Sequence, residues 1–212
     1  IRNYSSAAIT ATYRVTPVSA EGCRGEEVAV IITINPEPLP KPISGRADLC
    51  AGESAPVVYN VTPVGGSSFH WTVDPAVGTK TFDFNTNAIM ITADTAAGTG
   101  NISVYETNSL GCPGAPFTLP VRVWDSPDPE NITGEQTVCA YSTHTYSVTH
   151  RPGSVYSWTL PGGAALVGNP SGNSIQVVFG NVGGTILVRE TNIAGCITDH
   201  DPLAVTVHDR VD

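Results

Sequence analysis

The cysteines, the histidines and one recurrent glutamate are the residues of this chain whose chemistry could exceed packing. Cys50 and Cys139 each open a stretch that ends in Cys112 or Cys196, and Cys23 stands ahead of both. Such spacing suits either disulfides or zinc. No two cysteines lie in a C-x-x-C arrangement and no histidine recurs at a ligand offset, which favours disulfides. Cys50 is therefore expected to pair with Cys112, and Cys139 with Cys196, and paired cysteines imply export to an oxidising space. Each closed loop would contribute about 4 kcal/mol on the chain-entropy model.

Catalysis would need a nucleophile, base or metal site assembled from convergent groups. His70 and Ser157 take equivalent positions beside Trp71 and Trp158, and His144, His150, His200 and His208 have no histidine counterpart in the preceding repeat. Asp199, His200 and Asp201 form the densest polar cluster, with Ca2+ binding as one reading and a solvated loop as the preferred one. The equivalent loop at Ala115-Pro116 carries no acid. Glu106 and Glu190 recur in a strand-to-turn signature, where hydrogen bonds that hold the turn are the expected role. No catalytic residue, cofactor-binding residue or metal ligand is assigned. His200→Ala is accordingly expected to cost under about 0.5 kcal/mol, and Trp158→Ala about 3 to 5 kcal/mol.

The elements that carry these residues are repeated. Asn101-Ile-Ser-Val-Tyr-Glu-Thr-Asn-Ser-Leu-Gly-Cys112 returns as Thr185-Ile-Leu-Val-Arg-Glu-Thr-Asn-Ile-Ala-Gly-Cys196. A fainter copy ends at Gly22-Cys23, with Tyr13 and Val15 at the alternating apolar positions and Pro17-Val18-Ser19 in place of Glu-Thr-Asn. Upstream, Ile43-Ser-Gly45 matches Ile132-Thr-Gly134, Tyr59 and Val61 match Tyr146 and Val148, and Phe69-His-Trp71 matches Tyr156-Ser-Trp158. Period-two alternation makes both tryptophans core candidates rather than sugar platforms. Short strands, frequent turns and no convincing helical stretch predict an all-β chain of tandem β-sandwich domains.

The proline-rich joints Asn35-Pro-Glu-Pro-Leu-Pro-Lys-Pro42 and Trp124-Asp-Ser-Pro-Asp-Pro129 read as semi-rigid spacers. They divide the chain into 1–36, the C-terminal half of a truncated repeat, then 37–126 and 127–212, each a full repeat. The net charge is −9, and Lys41 and Lys80 are the lysines, so nucleic acid and anionic membranes are not expected partners. No apolar run approaches a membrane span and no stretch reads as a signal peptide, so the chain is expected to be a mature or excised piece. Residues 1–34 read as a fragment of a longer array, with a further cysteine expected about sixty residues before Cys23.

The order Cys, Tyr-x-Trp or Phe-x-Trp, then Glu-Thr-Asn-x-x-Gly-Cys and a proline linker resembles the PKD-like, immunoglobulin-like repeats of very large Bacteroidetes surface proteins. Trp71 is followed by Thr-Val-Asp-Pro and Trp158 by Thr-Leu-Pro-Gly-Gly, in place of the Asp-Phe-Gly-Asp-Gly turn of PKD domains proper. The resemblance implies an exported, cell-surface protein of the type IX secretion and gliding-adhesin kind. It implies a non-catalytic spacer or adhesin stalk, with other repeats, surface glycans or cell-surface proteins as partners. The alternative is a glycan-binding or accessory module of a secreted hydrolase. Asp94-Thr95-Ala96 is similar to the Asp-Ser/Thr-aliphatic O-glycosylation signal of those bacteria, which makes Thr95 a candidate attachment site. Asn-x-Ser/Thr sequons start at Asn3, Asn60, Asn101 and Asn131.

Overall fold

Val, Ile, Thr and Tyr at alternating positions drive extended chain throughout, and every regular element among the described residues is a β-strand. The computed structural model describes residues 2–83 and 86–210. It opens with an antiparallel hairpin, β1 (Ile9–Val15) and β2 (Val28–Ile34). The second repeat comprises β3 (Asp48–Cys50), β4 (Val57–Asn60), β5 (Ser68–Val73), β6 (Gly78–Asp83), β7 (Ala88–Ala93), β8 (Gly98–Thr107) and β9 (Phe117–Trp124). The third comprises β10 (Thr137–Cys139), β11 (Thr143–Ser147), β12 (Val155–Thr159), β13 (Ala165–Val167), β14 (Ser174–Val178), β15 (Gly184–Thr191), β16 (Ile197–Asp199) and β17 (Leu203–His208).

Both repeats fold into two facing sheets of the same topology. One sheet runs β3-β9-β8-β5 and its counterpart β10-β17-β15-β12, with β16 added to β15. The other runs β4-β7-β6 and its counterpart β11-β14-β13. The chain falls into two compact units, Ile1–Ala47 with Glu53–Asp94 and Gly98–Arg122, and Asp48–Gly52 with Thr95–Ala97 and Val123–Asp212.

Each core is closed by the strand faces that alternation selects. In the first unit Tyr59, Phe69, Trp71, Ile89, Ile91, Ile102 and Val104 are buried, and the Trp71 indole donates to Thr86 O at 2.9 Å. In the second, Tyr146, Tyr156, Ile175, Val177, Phe179, Ile186 and Val188 form the core. Trp158 packs against that core half-buried and donates to Gly172 O at 2.9 Å.

The Ile-x-Gly openings of the repeats have a packing cause. A Cβ on Gly45 would lie 2.2 Å from Tyr59 Cδ1, and one on Gly134 would lie 2.2 Å from Tyr146 Cδ1. Only glycine lets the ring lie flat against the backbone there. The ring hydroxyls then reach Arg46 O at 2.8 Å and Glu135 O at 2.7 Å. Burial pushes both phenols up to about 12.

Candidate functional site

The recurrent Glu-Thr-Asn-x-x-Gly-Cys segment forms the site, and its asparagine organises it. Asn108 Oδ1 accepts the backbone N–H groups of Leu110 at 3.0 Å and Cys112 at 2.9 Å, closing an Asx turn. Asn192 Oδ1 does the same for Ala194 and Cys196, both at 2.9 Å. The glycine before each cysteine, Gly111 at φ 79° and Gly195 at φ 86°, supplies the left-handed residue that ends the turn. Each asparagine also faces outward. Its Nδ2 donates to the incoming proline linker, Asn108 to Pro36 O at 3.1 Å and Asn192 to Asp125 O at 2.9 Å. The Thr198 hydroxyl adds a second tie, to Pro127 O at 2.5 Å. The turn thus grips the linker that enters its own repeat.

The glutamates point the other way. Alternation along β8 and β15 places Glu106 and Glu190 on the same face as Ile102/Val104 and Ile186/Val188, so both carboxylates are buried. A buried carboxylate requires partners. Glu106 accepts the Ser67 hydroxyl at 2.6 Å and pairs with Lys41 at 3.1 Å. Glu190 Oε2 takes Arg151 at 2.6 Å and His200 Nε2 at 3.1 Å. These residues anchor neighbouring segments to the strand, and the turn itself is held by the asparagine rather than the glutamate.

His200 departs from the expectation of a solvated loop. It is buried, its Nδ1 accepts the Glu130 N–H at 3.2 Å, and its Nε2 therefore carries the hydrogen that Glu190 receives. Asp199 turns outward to Arg189, with oxygens at 2.7 and 3.0 Å from the guanidinium. That hydrogen-bonded pairing holds the Asp199 carboxyl below its ordinary value. Asp201 serves the backbone, donating its N–H to Glu130 O at 3.1 Å. The loop borders a cleft of about 440 Å³, with the His200 ring and the Asp199 carboxylate engaged within the fold, and no group of three His, Cys, Asp or Glu suited to a metal occurs among the described residues.

The cysteine pairing expected from the repeats is overturned. Cys50 bonds Cys196, with Cα atoms 5.6 Å apart, and Cys112 and Cys139 are free thiols, as is Cys23. Strand length explains why. Ala140 N donates to His208 O, so Cys139 lies at the end of β17, whereas Cys196 lies in the turn before β16, which itself precedes that strand. Ala51 N donates to Trp124 O, which places Cys50 at the end of β9, a strand of 8 residues that the Cys112 turn precedes. At about 3.3 Å per residue such a strand spans about 25 Å, far beyond the roughly 7 Å limit between bonded Cα atoms. A bond inside one repeat is excluded by geometry. The bond instead joins the early cysteine of one repeat to the turn cysteine of the next.

Trp124, at the end of β9, is half-buried, and its indole donates to Asp48 Oδ1 at 2.7 Å. Thr95 is exposed in the bend between β7 and β8. Of the sequon asparagines, Asn3 is buried, its Nδ2 donating to Ala7 O and Ile34 O.

Comparison with known proteins adds to this geometry. A family described as PKD-like domain matches residues 36–121 and 126–205, and a second family of the same description matches residues 1–38. No curated protein matches the chain in sequence. Among solved structures, the fibronectin(III)-like modules of Clostridium thermocellum CbhA are similar at 16% identity and a TM-score of 0.43, covering 79% of this chain and 94% of that one. Murine CEACAM1b is similar at 13% identity and a TM-score of 0.40, covering 79% and 100%. The FN1–FN3 domains of chicken CNTN1 are similar at 15% identity and a TM-score of 0.39, covering 90% and 74%.

Proposed function

The chain belongs to the PKD-like domain family, and we propose that it is a non-catalytic stretch of a long exported surface protein whose repeats space or carry an adhesive end. The resemblance to the repeats of Bacteroidetes surface proteins supports assigning that protein to type IX secretion. The observation that carries the reading is the Cys50–Cys196 bond, which ties consecutive repeats covalently. A covalent tie of this kind keeps the intervening residues from extending when the chain is pulled, as a chain that transmits tension requires. Arg151, His200 and the other strongly polar residues of the site are consumed in holding segments together, consistent with a mechanical role.

Stretching single molecules held at both ends tests this. With the bond intact, the residues between Cys50 and Cys196, a separation of 146, are withheld from extension. Dithiothreitol should release them, adding about 500 Å of contour at about 3.5 Å per residue. Equal extension with and without reductant would sink the proposal of a covalently tied spacer. Turnover in a broad hydrolase screen would sink the non-catalytic reading, and specific retention on a glycan array would move the assignment to a glycan-binding module.

A further inference from the structure

Cys50 and Cys196 occupy different places within the repeat, so their bond defines a register, early cysteine to the turn cysteine of the next repeat. Left over as free thiols are Cys139 of the early kind and two of the turn kind, Cys112 and Cys23 of the half repeat ahead of it. The settings of Cys112 and Cys139 reproduce those of the bonded pair. Ala140 N donates to His208 O at 2.8 Å after Cys139, as Ala51 N donates to Trp124 O at 2.8 Å after Cys50. Asn108 holds the Cys112 N–H at 2.9 Å, as Asn192 holds that of Cys196.

The cover over Cys112 and Cys196 differs. Cys196 is buried, and Asp48–Gly52 belongs to its compact unit. Cys112 instead lines an open cleft of about 660 Å³, bordered by Arg2, Asn3, Glu37 and Pro116 of its own unit. The β1–β2 hairpin is also uncovered. Tyr13 and Val15 are 47% and 54% exposed, whereas their counterparts Ile102 and Val104 are 0% and 3% exposed. A face that is core in one repeat and bare in another calls for the strands that complete it.

We infer that Cys50–Cys196 is one rung of a disulfide ladder, in which Cys112 bonds the early cysteine of the preceding repeat and Cys139 the turn cysteine of the following one. The five-residue segment that corresponds to Asp48–Gly52 in the preceding repeat fills the cleft beside Cys112. Each rung forms when two thiols lose two electrons and two protons to a disulfide oxidant, which leaves as its dithiol. Cys139 lies inside the loop closed by Cys50 and Cys196, and its own bond reaches past Cys196. Successive loops therefore overlap, and every residue between the first bonded early cysteine and the last bonded turn cysteine lies inside at least one of them. The ladder concerns pairing alone and holds whether the array adheres or only spaces.

The full-length natural protein, alkylated without reduction and mapped by mass spectrometry, tests the register. Early cysteines recur at 139 − 50 = 89 residues, and turn cysteines at 112 − 23 = 89 and 196 − 112 = 84. Cys112 should be found linked to a cysteine about 89 residues before Cys50, and Cys139 to one about 84 to 89 residues after Cys196. Cys112 or Cys139 recovered as an alkylated thiol would overturn the ladder, as would either one linked to a second copy of itself. The cleft is tested on the 212-residue chain with a peptide of the sequence Ala47–Gly52 whose cysteine is activated as a mixed disulfide. Docking beside the thiol should make Cys112 react about tenfold faster with this peptide than with its scrambled form. Equal rates would overturn the assignment of the cleft.

Discussion

At the scale of single residues, alternation turns inward the side chains that hold neighbouring segments to the strands. His200 is buried between Glu190 and the Glu130 amide, so His200→Ala should cost about 1 to 3 kcal/mol, the penalty of leaving buried polar partners unmatched. Chemical denaturation reads this directly, and a cost under about 0.5 kcal/mol would return the residue to a solvated loop. Gly134→Ala forces a methyl into the Tyr146 ring, and its cost should be about 1 to 3 kcal/mol or more, whereas Gly162→Ala, with nothing within 4 Å, should be nearly neutral. The same rings give a pH signature. A phenol raised to about 12 in the folded state, against about 10 when unfolded, contributes stability that is complete below pH 10 and lost as pH rises through about 12. Urea midpoints should therefore stay level up to pH 10 as far as these groups are concerned and fall above it, in step with phenolate absorbance. The tyrosine and glycine positions and Trp71 are legible from the repeat pattern, whereas Trp158, equally a core candidate by alternation, is only half-buried. The roles of Glu190 and His200 are not legible there, although Ile186, Val188 and Glu190 share one strand face and that alternation is in plain sight.

At the scale of elements, the sequence reveals strands well and pairing partners poorly. Alternation and turn residues located the Glu-Thr-Asn strands and the hairpins that follow them, because each is a local pattern with its own physical cause. Which cysteine meets which depends on the ends to which β9 and β17 carry them, and that is a matter of strand direction rather than spacing. Two cysteines of one repeat look like partners in sequence, yet they sit at opposite ends of a strand about 25 Å long. The bond that does form closes a separation of 146 residues, worth about 5 kcal/mol on the chain-entropy model. Cys50→Ser should consequently lower the melting temperature of the unit that contains Cys196, with Cys112→Ser leaving it unchanged in the isolated chain. Equal effects of the two substitutions would contradict the pairing.

At the scale of the whole molecule, the polar residues that a search for an active site would choose are engaged in joining segments. Glu106 and Glu190 anchor Lys41 and Arg151, and Asn108 and Asn192 grip the incoming proline linkers. Repetition of the same contacts in successive repeats is what a chain built by extension requires. The central claim is that consecutive repeats are joined by a bond between Cys50 and Cys196. Digestion of the 212-residue chain after alkylation under non-reducing conditions tests it most directly. The account predicts one cross-linked peptide containing Cys50 and Cys196, with Cys23, Cys112 and Cys139 recovered as alkylated thiols. Recovery of Cys50 linked to Cys112 and Cys139 linked to Cys196 would contradict it.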